Sequence, residues 1–255
     1  MSMLTTHIDL NSDVGESPAS LADGSEDRLL RLVSSANIAC GGHAGDTASM
    51  KAVIRLCLVH GVSIGAHPSY PDRSGFGRTK INISEADLKA SISDQVGDLM
   101  AVAAGLGASV RHVKPHGALY NAAVRNAELA ALIADAVYAV DRHLVLVGLA
   151  GSAMLEEWKR AGFATVGEAF ADRRYEPDGT LRSRKLADAL IIDPDEAARQ
   201  ALSIAHDGLI LAADGSRLTI EAQTICIHGD TANAVSIASG VRNKLHHAGI
   251  TVAPF

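Results

Sequence analysis

Apolar residues along this chain gather in seven short runs, and all but one of them end in a cluster of His, Asp, Glu, Lys or Asn. The runs are His7 to Glu16, Ala36 to Asp46, Val62 to Asp72, Val110 to Asn121, Leu144 to Gly148, Ala164 to Tyr175 and Thr224 to Thr231, and only Leu144 to Gly148 lacks the polar ending. Segments of helical periodicity lie between them, so the alternation predicts β then α units rather than an all-β series. Helix ends are legible as well. Asp46 precedes a helix over Thr47 to His60 with Gly61 after it, and Ser84 opens another with Asp87 three positions on. Asp193-Pro194 starts a helix that runs to about His206, and Asp230 is expected to cap the last one, which stops before Gly249.

Within the strands the polar residues keep to one face. His7, Asp9, Asn11 and Asp13 share one parity while Ile8 and Leu10 take the other, and an extended chain sends the two sets to opposite sides. The same holds for His112, Lys114 and His116 against Val113, and for Thr224, Cys226 and His228 against Ile225 and Ile227. Barrel interiors are ordinarily layered with branched apolar side chains, and unpaired buried charge is costly, so three inward polar strands read as a water-accessible active site. The alternative is a buried polar network satisfied within itself. In parallel α/β architectures the loops after the strands share one face, which places the chemistry at the strands' carboxyl ends.

The 255 residues suit one α/β barrel, and no linker, low-complexity tract or charge block divides them, so a single domain over 1–255 is expected. Ala171 to Lys185 is almost devoid of apolar residues and is expected to form a long loop over the site. Hydrophobic residues make up 47% and aromatics 4%, which predicts a core of Ala, Val, Ile and Leu suited to parallel strands covered by helices. A net charge of −6 offers nothing to a polyanion or an acidic membrane surface, so neither nucleic acid nor membrane is expected as a partner. Cys40, Cys57 and Cys226 include no close pair, which argues against a disulfide framework and a zinc-thiolate motif and points to a reducing, cytoplasmic setting. The first fifteen residues lack signal-peptide features, and no apolar run approaches the roughly 20 residues a bilayer requires.

Several residues carry candidate chemistry. Asp13, His43 and His67 follow three successive strands and together make a two-His, one-carboxylate set for a divalent metal at the barrel mouth; otherwise the histidines serve as general acid/base or orienting groups. Lys114, beside Pro115, is placed to neutralise a phosphate or carboxylate, or to pair with Asp9, Asp13 or Glu168. Glu168 and Asp172 are candidates for a base and its partner carboxylate, with an ion pair to Arg173 or Arg184 as the structural reading of Asp172. Arg173, Arg174, Arg182, Arg184 and Lys185 either grip phosphates or form a solvated loop. Neither a P-loop nor a dinucleotide fingerprint is present.

The segments Asp9 to Glu16, Ser35 to Gly41, His43 to Asp46, Gly65 to Ser69, His112 to Gly117 and His228 to Asp230, with Phe170 to Arg173, Tyr175 and Asp178-Gly179, resemble the LamB/YcsF family over roughly His7 to Val252. The resemblance implies an irregular (β/α) barrel of about seven parallel strands, similar to those of carbohydrate deacetylases. It also implies an ATP-dependent hydrolase, with magnesium accompanying the ATP, that opens the lactam of 5-oxo-L-proline to L-glutamate with release of ADP and phosphate. Companion subunits B and C of a 5-oxoprolinase complex are implied too. With the reading of the residues, it makes Asp13, His67, Lys114, His116, Glu168 and Asp172 catalytic candidates. Asp13 or Glu168 would activate water and His67 or His116 would protonate the departing nitrogen. Asp9, Asn11, Glu16, Asn37, Asp46, Tyr120, Arg173, Tyr175, Arg184, His228 and Asp230 become substrate-binding candidates. Gly42 stands where relatives often carry Phe, which predicts a wider pocket there. Competing readings are a metal-dependent deacetylase or amidase that needs no ATP, and a substrate-binding subunit whose chemistry happens on a partner.

Overall fold

The computed structural model describes residues 7–231 and 233–255. Seven parallel strands close into a barrel: β1 (His7–Val14), β2 (Ser35–Ala39), β3 (Ser63–His67), β4 (Val110–Val113), β5 (Val145–Leu149), β6 (Thr165–Phe170) and, after a two-stranded excursion, β9 (Thr224–Cys226). β9 pairs with both β6 and β1, which shuts the ring. The excursion is the antiparallel pair β7 (Leu209–Leu211) and β8 (Arg217–Thr219), and β10 (Thr251–Val252) adds a short edge beside β1. β7, β8 and β10 span three or two residues each, and the alternation of apolar and polar positions predicts no strand there.

Helices α1 (Pro18–Ala22) and α2 (Ser25–Leu30) follow β1, while α3 (Thr47–His60), α4 (Glu85–Ala104), α5 (Gly117–Ala123), α6 (Ala127–Tyr138), α7 (Ala153–Arg160), α8 (Pro194–Leu202) and α9 (Ala234–His247) complete the outer layer. Asp46 and Ser49 form a reciprocal capping box on α3, Gly61 ends that helix at φ +68°, and the Ser84 hydroxyl accepts from Asp87 N on α4, as the capping signals predicted. α8 continues through one π-helical turn to Asp207. The expected cap of α9 is different. Asn233 holds the N-cap position without a side-chain hydrogen bond, and Asp230 is drawn away by Arg78 and Arg184.

On β1 the outward Ile8, Leu10 and Val14 pack under the helices, while Asp9, Asn11 and Asp13 point into the barrel with Ser35, Asn37, His112, Glu168, Thr224 and Cys226, all buried. Gly65 on β3 makes room for this filling: a β-carbon there would lie 2.0 Å from His112 Nε2. No described helix is long and apolar enough to cross a membrane. Cys40, Cys57 and Cys226 are free and buried.

Glu26 on α2 is 5% exposed; it accepts from Gly15 N through Oε1 and leaves Oε2 without a partner. Burial pushes its carboxyl up to about 7, against the lowering effect of the Gly15 hydrogen bond. A raised folded-state pKa means that the native protein binds the extra proton, so stability is lost as pH climbs from the unfolded value near 4.5 through about 7. Glu26→Gln is therefore expected to gain about 2 kcal/mol relative to the unmutated chain between pH 5 and pH 8. Urea unfolding at the two pH values reads this directly, and parallel pH profiles would remove Glu26 as the cause.

Candidate active site

The barrel floor is a closed hydrogen-bond network. Ser34 and Ser35 each donate to Asp9 Oδ1 at 2.7 Å, and Thr224 donates to Asp9 Oδ2. Asn11 Nδ2 donates to Thr224 Oγ1 at 2.7 Å and to Glu168 Oε1 at 3.0 Å. Burial raises the Asp9 pKa in spite of the three hydroxyls that hold its charge. These residues satisfy one another, so the self-satisfied polar network describes this layer.

Lys114 stands one layer higher. Its Nζ lies 2.9 Å from Asp13 Oδ1, 2.8 Å from Glu168 Oε1, 3.2 Å from Asn11 Oδ1 and 3.1 Å from Cys226 Sγ. Four acceptors share three protons, leaving none for a ligand. Burial alone would drive the ammonium to neutrality, but Asp13, Cys226 and Glu168 outweigh it and raise the pKa well above the usual lysine value. Burial likewise opposes ionisation of Asp13, and His67 with Lys114 holds it well below the usual carboxylate range. Asn37 donates to the same Oδ1 at 2.8 Å, which leaves Oδ2 facing His67 Nε2 at 3.4 Å. Glu168 is fixed further by Tyr120, whose hydroxyl donates to Oε2 at 2.9 Å.

Above Asp13, four groups converge: Glu16, His43, His67 and His116 each bring one donor atom within 4.8 Å of the others, a set able to hold a metal ion. Backbone carbonyls fix two of the rings. His67 Nδ1 donates to Lys114 O at 2.7 Å, and His116 Nε2 donates to Phe76 O at 2.9 Å. Phe76 presents that carbonyl from φ +54°, and Gly77 follows at φ +62°. Gly117 packs so tightly on this turn that a β-carbon would lie 2.6 Å from Gly77 O. His43 lies flat on His116, with ring centroids 3.6 Å apart, and reaches Glu16 Oε1 through Nε2 at 2.9 Å. Burial lowers the His43 pKa to about 4, with the hydrogen bond to Glu16 opposing it.

Across the mouth, buried Asp172 accepts from His228 Nδ1 at 3.0 Å, from His228 N at 3.1 Å and from Thr231 Oγ1 at 2.7 Å. Burial raises its pKa and the His228 contacts overturn that effect, leaving it lowered. A His228 nitrogen comes within 4.8 Å of an Asp13 oxygen. The imidazole, oriented through Nδ1 by a buried carboxylate, keeps Nε2 for proton transfer. Asp13 and His228 line a cavity of about 570 Å³, whose outer wall is cationic: Arg78, Arg125, Arg173, Arg182, Arg184 and Lys185. Most of these arginines are paired, Arg78 and Arg184 with Asp230, Arg125 with Asp178, and Arg182 with Glu176 and Asp188. Arg173 is the exception. It is 4% exposed, has no carboxylate at salt-bridge distance among the described residues, donates through Nη2 to Arg182 O and leaves Nε without an acceptor. Burial, reinforced by Arg184, pulls its pKa down to about 10.

Asp13, Glu16, His67, Lys114, His116, Tyr120, Arg173, Arg184, His228 and Asp230 all line this cavity. Asp9, Asn11, Asn37 and Glu168 lie beneath it as the network that holds Lys114 and Asp13. Two candidates stand apart: Asp46 is the exposed cap of α3, and the Tyr175 hydroxyl accepts from Phe170 N inside the polar segment. Within the carboxylate-histidine cluster, Glu16 stands against His43 while Asp13 is engaged by Lys114. Ala171 to Lys185 does cover the site, and bridges Arg173 to Leu190 and Tyr175 to Leu181 and Ala212 give it structure. The wider pocket expected at Gly42 is not found: a β-carbon there would meet Gln95 Oε1 at 2.3 Å and Ser69 Oγ at 2.5 Å, so Gln95 fills the space. The turn at Phe76, Gly77 and Arg78, and Arg125 on the cavity wall, are parts of the site that sequence reasoning missed.

The LamB/YcsF family profile matches residues 8–255. The chain is 50% identical over 245 residues to the 5-oxoprolinase A subunit of Chloroflexus aggregans, spanning 96% of this chain and 97% of that protein. It is 48% identical to the protein of the same name from Shouchella clausii, with 96% and 97% covered. Among solved structures, the lactam utilization protein from Thermus thermophilus superposes with a TM-score of 0.90 at 43% identity, covering 98% of this chain and all of that one. A family 4 carbohydrate esterase from Streptomyces lividans shares the fold at a TM-score of 0.51 and 13% identity, over 96% of this chain and 91% of its own.

Proposed function

Since the chain belongs to the LamB/YcsF family, we propose that it is the subunit of a 5-oxoprolinase that opens the lactam of 5-oxo-L-proline to L-glutamate, with ATP as its magnesium complex and companion subunits B and C. The observation that carries this reading is the approach of ionised Asp13 and the Asp172-oriented His228 to within 4.8 Å of each other in a cavity with a cationic rim. A general base and a general acid within reach of one bound substrate are what amide hydrolysis calls for.

An amide carbonyl is a poor electrophile, and ATP remedies this. The lactam oxygen attacks the γ-phosphorus and ADP leaves. Water then adds to the ring carbon as Asp13 Oδ2 takes its proton. The carbon–nitrogen bond breaks as His228 Nε2 protonates the nitrogen, and a second water hydrolyses the resulting acyl phosphate to glutamate and phosphate. Lys114 has no proton to spare for substrate, so its role is to help His67 keep Asp13 ionised. Glu168 lies deeper and outside the cavity wall, which favours Asp13 as the base. His67 and His116 each spend one nitrogen on a backbone carbonyl and turn the other toward its neighbour, which favours His228 as the acid.

Arg173, a buried cation with no counter-ion among the described residues, suits the lactam's carboxylate. Arg173→Met is expected to raise KM for the lactam roughly 10–100-fold, the worth of a charge-assisted hydrogen bond of about 1.5–3 kcal/mol. Its melting temperature is expected not to fall, because an unpaired buried charge is removed. A lowered melting temperature with unchanged KM would make Arg173 structural.

The deciding assay is glutamate release from 5-oxo-L-proline by this chain alone and with subunits B and C, each with and without ATP. Release that needs ATP and all three chains is expected. Release without ATP would favour the amidase reading, to which the convergence of Glu16, His67 and His116 already lends weight. Absence of release under every condition would overturn the assignment.

A further inference from the structure

His67 Nε2 and His116 Nδ1 face each other at 3.0 Å. Each ring's other nitrogen must carry a hydrogen, because its partner is a backbone carbonyl, which only accepts. In their neutral forms the two facing nitrogens therefore both present lone pairs, and a positive charge between them, a metal ion or a shared proton, is what makes the approach favourable. Glu16 Oε1 adds a carboxylate 3.2 Å from His116 Nδ1 and 3.9 Å from His67 Nε2. Tetrahedral bonds of 2.0–2.1 Å place ligand atoms about 3.3–3.4 Å apart, close to these separations. Carbonyl partners on the distal nitrogens are also what fixes the tautomer of metal-bound histidines.

His43 takes a different part. Its ring is parallel to that of His116 within 1°, so the two cannot both aim an in-plane lone pair at one ion. His43 also lies outside the cavity wall that Glu16, His67 and His116 line. Its Nε2 instead donates to Glu16 Oε1 and holds that carboxylate in place. Asp13 is likewise committed, through Oδ1, to Lys114 and Asn37.

We propose that Glu16 Oε1, His67 Nε2 and His116 Nδ1 bind one divalent transition-metal ion of borderline softness, zinc or a neighbour in its row, with His43 orienting the carboxylate and the remaining position open to the cavity. Two imidazoles and one carboxylate suit such an ion better than magnesium or calcium, which favour all-oxygen sets. The inference stands apart from the lactam reading, because its test involves no turnover.

The test strips the full-length chain with a chelator and titrates it with Co²⁺, following visible absorption and metal content, and then displaces the Co²⁺ with Zn²⁺. One ion per chain is expected. Affinity should fall at least 100-fold in Glu16→Gln and in His116→Ala, and about 10-fold in His43→Leu, the usual loss for an outer partner. Circular dichroism of the stripped variants confirms folding. A measurement on the unmutated chain stands independently of it: on adding Zn²⁺, imidazole ¹⁵N resonances should shift as direct ligands at His67 Nε2 and His116 Nδ1 and at neither nitrogen of His43. Less than stoichiometric binding, equal affinity in His116→Ala, or ¹⁵N shifts showing a proton retained between the two rings in excess Zn²⁺ would each overturn the proposal.

Discussion

Lys114→Met is expected to abolish glutamate release and to lower stability by about 3–5 kcal/mol, the cost of removing one partner from a buried ion pair. The ammonium touches both Asp13 and Glu168, so its loss leaves two buried carboxylates facing each other with amide and hydroxyl donors and, beside Asp13, the His67 imidazole. Asp13 loses one of the two groups, with His67, that hold its carboxyl below the usual range. Adding Glu168→Gln to Lys114→Met removes the surplus charge; the amide oxygen still accepts from Asn11, and the amide nitrogen that replaces Oε2 donates to the Tyr120 oxygen in place of accepting from it. The double variant should recover much of the stability and none of the turnover. Chemical denaturation alongside the glutamate assay separates the two effects. A double variant that regains turnover together with stability would reduce Lys114 to a structural cation.

Much of this clamp is legible in the amino-acid sequence alone. Period-two patterning in β1 and in His112 to His116 places Asp9, Asn11, Asp13 and Lys114 on inward faces, and the strand count makes the interior shared. Which inward groups meet is not legible, because neighbours in a barrel follow strand order rather than sequence distance. Asp172 and His228 are 56 positions apart and touch because β9 pairs with β6. Asp46 and Asp230 show how one residue type serves two ends. An Asp before a helix looks the same whether it caps or binds; Asp46 caps α3, whereas Asp230 is held by arginines. The Phe76 turn is invisible for another reason. Its contribution is a backbone carbonyl, which every residue has, and only the fold aims it at His116.

The same geometry makes Asp13→Asn the sharper probe of chemistry, because it changes charge with almost no change of shape. Asparagine keeps an acceptor for Lys114 and Asn37 at Oδ1, and Lys114 retains Glu168 as its counter-ion. The fold should therefore tolerate the change with a loss of about 1–2 kcal/mol, far less than for Lys114→Met. The amide nitrogen replacing Oδ2 cannot accept a proton from water, so turnover in the assembled complex is expected to fall about 10³-fold, within the range for a lost general base. The loss should appear in kcat, with KM for the lactam changed only a few-fold, since Arg173 on the cavity wall is the proposed partner of the lactam's carboxylate. A rise in KM at constant kcat would turn Asp13 into a binding group. Robust release at the unmutated rate would move the base elsewhere, with Glu16 the next carboxylate on the cavity wall.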